Sequence, residues 1–407
     1  MLTRFLLINF EYVTPEMRLL IAGLLIDFYR KGEFSAPVKQ IQKRYGVTLH
    51  TVNRTLRYLV QSGYVDRTNL PHRRGRPVGR YVFTSVMKRK VETVPKWVES
   101  LSTSTFWKQV IRQLVVSNDE VVQDEKYSAS NRYLVCMLAL FSNETGVVTK
   151  LPAAQLRKIT GFTALRLRSQ LATLKEKKVL ISYTGGVTGK YLFGKAEGIY
   201  FLNTEQVARL LNVPKPVTPF RTRKFVAVTP ERGMYVVKRL VRTALLVQEE
   251  SKEGKRRLAV EEAEQRKFWD YDREEFSQIA QLFSDRSDTR VSDYLQTKLD
   301  IYVARGFTIN SKYSKEEVPR ALSQELKEDI ITDCMPSKWS EAGKLNFVED
   351  PYFNKALFSV FADMIIRIVQ GICNTYTALY GLELRSDRVY RIVPFETGSA
   401  IEVYEWP

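Results

Sequence analysis

Several polar side chains lie close together on one short segment of the chain. His50, Thr51, Asn53, Arg54 and Arg57 would fall on one side of a helix running through them. Arginine can donate two hydrogen bonds to guanine, asparagine can bond to adenine, and all of these groups can bind phosphate oxygens. Their spacing therefore predicts a surface that contacts phosphates and base edges.

The residues around this segment predict two helices joined by a tight turn. The first helix is predicted to end at Gly46, and Thr48 is predicted to be the N-cap of the second and to join its side chains in contacting phosphates. The face of the second helix opposite the polar side chains carries Val52, Leu56 and Leu59.

A basic hairpin is predicted to follow. Gly63-Tyr64-Val65 ends the second helix, LPHRRGRPVGR makes a turn, and Tyr81-Val82-Phe83 returns as a strand. Over residues 14–86 the chain resembles the winged helix-turn-helix superfamily of DNA-binding regulators. The resemblance implies that the hairpin is a wing that lies along phosphates or enters a narrow minor groove. Its arginines are Arg73, Arg74, Arg76 and Arg80.

The same pattern occurs a second time, 115 residues later. Thr163 matches Thr48, and Lys178 stands where the first copy has Gly63. GKYLF at Gly189–Phe193 is predicted to match GRYVF at Gly79–Phe83 with an offset of 110, which makes the second wing five residues shorter. The predicted contacts of the second copy with DNA are Thr163, Arg166, Arg168, Ser169 and Lys190.

Positive charge is concentrated on the two copies. Residues 1–90 contain 17 Lys or Arg and 5 Asp or Glu, and residues 150–224 contain 15 and 3, so each stretch carries +12. Since the whole chain carries +18, the remainder is −6. Release of counterions from phosphates would explain this partition, whereas a general effect on solubility would not.

No arrangement of residues typical of catalysis stands out. The two histidines, His50 and His72, lie in the predicted second helix and the first wing, and the three cysteines are far apart, so the usual zinc motifs are missing. TGGVTGKY lacks the residues of a phosphate-binding loop. Acidic groups such as Asp270/Asp272 are better explained as helix caps or solvated faces. We therefore expect a protein that is not an enzyme and that holds no cofactor or metal.

The predicted fold is mainly α with small β-wings. Two tandem winged helix-turn-helix domains occupy residues 1–90 and 127–215, with a connector at 91–126 and a mostly helical C-terminal domain at 225–407. Residues 1–13 are expected to form a strand or an arm, and the proline-rich stretch up to 224 an exposed linker. The run from Tyr352 to Tyr380 suits a buried core helix or a dimer helix rather than a membrane span.

Three functions remain open at this point. The first is sequence-specific binding of double-stranded DNA by a transcriptional regulator, cytoplasmic and nucleoid-associated, with the C-terminal domain forming a homodimer or contacting a partner. The second is a replication initiator of a plasmid or other mobile element, a family similar in its tandem winged helices. The third is a scaffold whose winged helices bind protein.

Overall fold

The structure is a computed structural model. It describes residues 1–70, 78–96, 98, 101, 104–116, 127–211, 220–226, 236–247, 252–265, 273–283, 289–336, 355–395 and 398–405.

The described chain is mainly helical with small antiparallel sheets, as predicted. It divides into two compact units. The N-terminal unit comprises Met1–Ile181 and Tyr200–Thr218, and the C-terminal unit comprises Ser182–Ile199 and Pro219–Pro407. Both copies of the repeated pattern contribute their helices to the N-terminal unit.

The first copy, which we call the first module, confirms the predicted two helices and hairpin. A short helix precedes it where a strand or arm was expected. In order the elements are α1 (Leu2–Leu7), α2 (Pro15–Phe28), β1 (Glu33–Ser35), α3 (Val38–Tyr45), α4 (Leu49–Gln61), β2 (Val65–Leu70), β3 (Val78–Phe83) and α5 (Ser85–Glu92). The sheet order is β1-β3-β2, with β3 antiparallel to both neighbours.

The second copy, the second module, repeats this order after a connecting helix. Its elements are α6 (Thr105–Val115), α7 (Ala129–Leu140), β4 (Val147–Val148), α8 (Ala153–Thr160), α9 (Ala164–Glu176), β5 (Leu180–Thr184), β6 (Ile199–Leu202) and α10 (Thr204–Leu210). The connector contains α6, whose Phe106, Val110 and Leu114 are buried. It packs against α7.

Two backbone hydrogen bonds of the first module have equivalents in the second. The N–H of Phe83 donates to Gly32 O at 2.8 Å, and the N–H of Leu202 donates to Gly146 O at 2.8 Å. The N–H of Thr84 bonds to Tyr64 O, as that of Asn203 bonds to Val179 O. Both modules therefore share one backbone design in addition to similar sequences.

The predicted match between the two wings is wrong. In the second module, β6 is the strand that pairs with β4, and its Phe201 lies opposite Val147. The equivalent pair in the first module is Val82 of β3 and Glu33 of β1. The offset at this strand is 119, so the second hairpin is four residues longer than the first. Gly189–Phe193 lies within the long connection between β5 and β6.

The scaffold helices α2 and α7 are buried on nearly all sides. Every residue of α7 is buried, and α2 is buried from Met17 to Leu25. A helix that is apolar all round must be surrounded by other elements. Here α2 and α7 pack against each other, so the two modules share one core.

The C-terminal unit combines helices with one three-stranded sheet. Its elements are β7 (Phe220–Val226), α11 (Val236–Val247), α12 (Lys252–Gln265), α13 (Arg273–Ile279), α14 (Thr289–Asn310), α15 (Val318–Cys334), α16 (Lys355–Tyr380), β8 (Arg388–Phe395) and β9 (Gly398–Glu405). The last two strands, β8 and β9, form an antiparallel hairpin. The expected linker is wrong over Phe220–Val226, which instead forms a strand paired with β9.

The long helix α16 supplies much of the core of this unit. Gly306 of α14 allows close packing, because a Cβ there would lie 2.7 Å from Val369 and 2.9 Å from Cys373 Sγ. Within the described ranges, α16 is long and apolar enough to cross a membrane by length and composition alone. However, 61% of its apolar window is buried in this unit, as in a core helix.

A buried ion pair joins the last two strands. Arg391 and Glu402 are directly opposed in the β8–β9 register, and each side chain is 2% exposed. Arg391 Nε donates to Glu402 Oε2 at 3.0 Å, and the Tyr404 hydroxyl donates to the same oxygen at 2.6 Å. A buried pair of charges requires such additional hydrogen bonds to offset its desolvation.

Candidate nucleic-acid interface

Helix α4 is held at its N-terminus by a side-chain cap. The Thr48 hydroxyl accepts a hydrogen bond from the Thr51 N–H at 3.1 Å, as the N-cap prediction requires. Gly46 lies just before it with φ of 54°, a left-handed conformation that ends α3. The turn between the helices is therefore built from a glycine C-cap and a threonine N-cap. The buried face of α4 carries Val52, Thr55, Leu56 and Leu59.

The outward face of α4 presents the predicted polar side chains. The side chains of His50, Asn53, Arg54 and Arg57 are exposed and form no hydrogen bond or ion pair with the described part of the chain. Thr51 is half-buried, and its hydroxyl lies 2.9 Å from that of Thr48. Two arginines, a histidine and an asparagine are thus available to an external ligand.

The first hairpin has one described arginine of the predicted four. Arg80 is exposed, and its Nε donates to Glu33 Oε2 at 2.9 Å, so its charge is largely compensated. Arg73, Arg74 and Arg76 lie outside the described residues. Arg67, which the sequence analysis missed, is exposed on β2 with its guanidinium 5.9 Å from the centre of the Tyr81 ring.

Helix α9 of the second module repeats the same local design. The Thr163 hydroxyl accepts a hydrogen bond from the Arg166 N–H at 3.2 Å, and Leu167, Leu171 and Leu174 are buried. Arg168 and Ser169 are exposed at the positions that Asn53 and Arg54 hold in α4.

The second helix differs from the first at Arg166. Its guanidinium forms an ion pair with Glu16 of α2 and lies 5.2 Å from the centre of the Phe162 ring. Burial acts to raise the pKa of Glu16, but hydrogen bonds from its own N–H, from Thr14 and from Arg166 outweigh it, and the pKa is lowered. Arg166 is therefore already bound to a carboxylate that stays charged at neutral pH.

Lys190 lies in the long connection of the second hairpin rather than on a strand. It is exposed, and its Nζ is 4.6 Å from the centre of the Tyr191 ring. The neighbouring Phe193 is held in the C-terminal unit, where its N–H donates to Cys334 O at 2.6 Å and its ring contacts Tyr294. The second connection is thus anchored within the C-terminal unit around Phe193.

One exposed apolar residue was also missed. Leu165 is 78% exposed in the first turn of α9, at the position of His50 in α4. An apolar side chain in this position suits contact with the methyl group of thymine. The repeat could have indicated this residue, because at the offset of 115 Leu165 matches His50, a predicted contact residue.

Metal-binding clusters are missing from the described residues. No group of three or more His, Cys, Asp or Glu side chains in the described ranges could hold an ion. Cys136, Cys334 and Cys373 are free and buried, and burial raises the pKa of each thiol.

Comparisons with known proteins add no family. A scan against protein-family models and a search of curated proteins both gave no match.

Proposed function

We propose that the two modules are winged helix-turn-helix domains and that the protein binds double-stranded DNA in a sequence-specific manner, as a transcriptional regulator. The observation that carries this proposal is the outward face of α4. His50, Asn53, Arg54 and Arg57 are exposed there without a bonding partner in the described residues. Long cationic side chains held on a rigid helix suit insertion into a major groove.

The distribution of charge supports the same function. Residues 1–90 belong to the first module, and residues 150–224 contain α8, α9 and β5 of the second module together with its long connection and part of β7, whereas the rest of the chain has a net negative charge. A protein-binding scaffold would not need this partition. Binding to phosphates would, since it is driven largely by release of counterions.

The roles of the side chains differ. Asn53 and Arg54 are expected to contact bases, whereas Arg74 and Arg76 of the first wing are expected to contact phosphates. Replacing Arg54 by Ala should cost about 1–3 kcal/mol and relax the sequence preference. Replacing a wing arginine should weaken binding to all sequences and reduce the dependence on salt.

The test is selection of DNA from a random pool, followed by binding measurements over a range of salt concentrations. The variant Arg54→Ala/Arg57→Ala should lose the selected sequence. Its matched control is Arg256→Ala/Arg320→Ala, which removes the same charge from exposed positions of the C-terminal unit. If both variants lost affinity equally, binding would reflect only net charge. If the intact protein selected no sequence, the function proposed here would be wrong.

The position of bound sites in the host genome would separate regulator from initiator. Sites that overlap promoters favour regulation, and clustered repeats in one origin favour initiation of replication.

A further inference from the structure

The two modules contact each other through equivalent residues. Arg132, in the first turn of α7, donates through Nη2 to Tyr45 O at 2.5 Å and to Gly46 O at 2.9 Å. Arg18 of α2 likewise lies beside Gly161 of the second module, where a Cβ would be 3.5 Å from its Nε, although its hydrogen bonds go to Phe10 O and Val13 O of its own module. Gly46 and Gly161 are equivalent at the offset of 115. Arg18 and Arg132 are equivalent by structure, because each lies four residues after the N-cap of its helix, Thr14 or Ser128.

Reciprocal contacts of this kind define the symmetry. An interface is isologous when a residue of each module contacts the same position of the other module. Such an interface has an approximate two-fold axis. A translation of one module along the other would make only one of the two contacts. The mutual packing of α2 and α7 agrees with an axis that passes between these helices.

We infer that the DNA target is an inverted pair of unequal half-sites, one contacted by α4 and the other by α9 on the opposite strand. This inference rests on the proposed DNA binding. A two-fold axis in the protein matches the local dyad of a DNA duplex, so one chain would bind as the two subunits of a homodimeric repressor do.

The half-sites differ because the outward side chains differ. Asn53 and Arg54 suit adenine and guanine, whereas Arg168 and Leu165 suit guanine and the thymine methyl group. The site is therefore asymmetric in sequence although the protein contacts it with near two-fold symmetry. Such a site cannot be recognised as a palindrome by inspection.

Making the two helices equal would reveal the symmetry. The outward positions of α9 are all exposed, so they can be given the residues of α4 without changing the core. Arg166 is kept, because it bonds to Glu16. The substitutions are Ala164→Leu, Leu165→His, Arg168→Asn, Ser169→Arg and Ala172→Arg.

Selection from random DNA should then yield a palindrome with this variant and an unequal site with the native chain. For the native site, reversing one half-site in place should lower affinity by at least about tenfold, since several base pairs are then mismatched. A direct repeat selected by the equalised variant, or a single half-site, would overturn the inference while leaving DNA binding intact. No selected sequence with the native chain would instead refute the proposed function.

A second measurement tests the inverted arrangement without the equalised variant, in case that variant does not fold. Because Cys136, Cys334 and Cys373 are buried and 0% exposed, a new surface cysteine can be labelled selectively. Gln61→Cys and Glu176→Cys lie at equivalent ends of α4 and α9. An iron chelate that cleaves DNA can be attached to each new cysteine in turn. If the half-sites are inverted, one chelate should cut to the left of its half-site and the other to the right of its own. Cuts on the same side of each half-site would show a direct arrangement and contradict the inference.

Discussion

Arg132 is predicted to contribute more than any other residue to holding the two modules in contact. Its side chain is 1% exposed and donates to three backbone carbonyls, Leu114 O at 3.2 Å, Tyr45 O at 2.5 Å and Gly46 O at 2.9 Å. Burial lowers the pKa of Arg132 to about 10, so the guanidinium is still charged at neutral pH.

The expected effect of Arg132→Ala follows from these contacts. A hydrogen bond from a charged donor contributes about 1.5–3 kcal/mol, but desolvation of the guanidinium offsets part of the total. The substitution also leaves buried carbonyls without their donor. We expect the free energy of unfolding of the N-terminal unit to fall by about 3–5 kcal/mol.

Urea denaturation measures this loss. With an m-value of about 2–3 kcal/mol/M, the midpoint should shift by about 1–2 M. Trp107 is a suitable reporter, because it is buried in this unit and its Nε1 donates to Asn143 O at 2.9 Å. Arg132→Lys should recover only part of the loss, since an ammonium lacks the planar fork of donors.

The matched control is Arg112→Ala, at an exposed position on α6 of the same unit. It should change the free energy by less than about 0.5 kcal/mol. A loss below about 1 kcal/mol for Arg132→Ala would refute the view that this guanidinium holds the modules together.

Two further predictions concern carboxylates. Glu16→Gln should raise affinity for DNA about two- to fivefold in a binding titration, because an exposed ion pair contributes at most about 1 kcal/mol and its loss frees Arg166. Since the pKa of Glu16 is lowered, the ion pair persists at neutral pH and is lost only when the pH falls below that lowered pKa. An unchanged affinity of Glu16→Gln for DNA would show that Arg166 takes no part in binding. Asp300 lies buried in α14, and burial raises its pKa from 3.8 to about 7. Between these values the folded state holds a proton that the unfolded state has released, so stability should fall as pH rises across this interval. Asp300→Asn should remove this dependence and raise the Tm at pH 8, and an unchanged pH slope in thermal unfolding would contradict the assignment.

The local structure of the candidate interface could be predicted from the sequence. The caps at Thr48 and Thr163, the glycines that end α3 and α8, and the buried and exposed faces of α4 all depend on residues a few positions apart. Helical periodicity and capping are properties of such short segments. The C-terminal hairpin is local in the same sense, because only two residues separate its strands in the chain.

Pairings between distant segments were decided only by tertiary structure. Glu16 and Arg166 are 150 residues apart, and Arg132 is 87 residues from Tyr45. The strand Phe220–Val226 exists because β9 provides hydrogen-bonding partners for it. The resemblance of GKYLF to GRYVF was misleading, because strand pairing depends on which residues can lie opposite β4 and bury their side chains. The sequence by itself determined the paired helices of the repeated pattern and which side chains they present, but not the helix α1, where a strand or arm was predicted. The tertiary structure decided which of those side chains are already paired, and it related the two modules by an approximate two-fold axis, because both depend on packing between segments far apart in the chain.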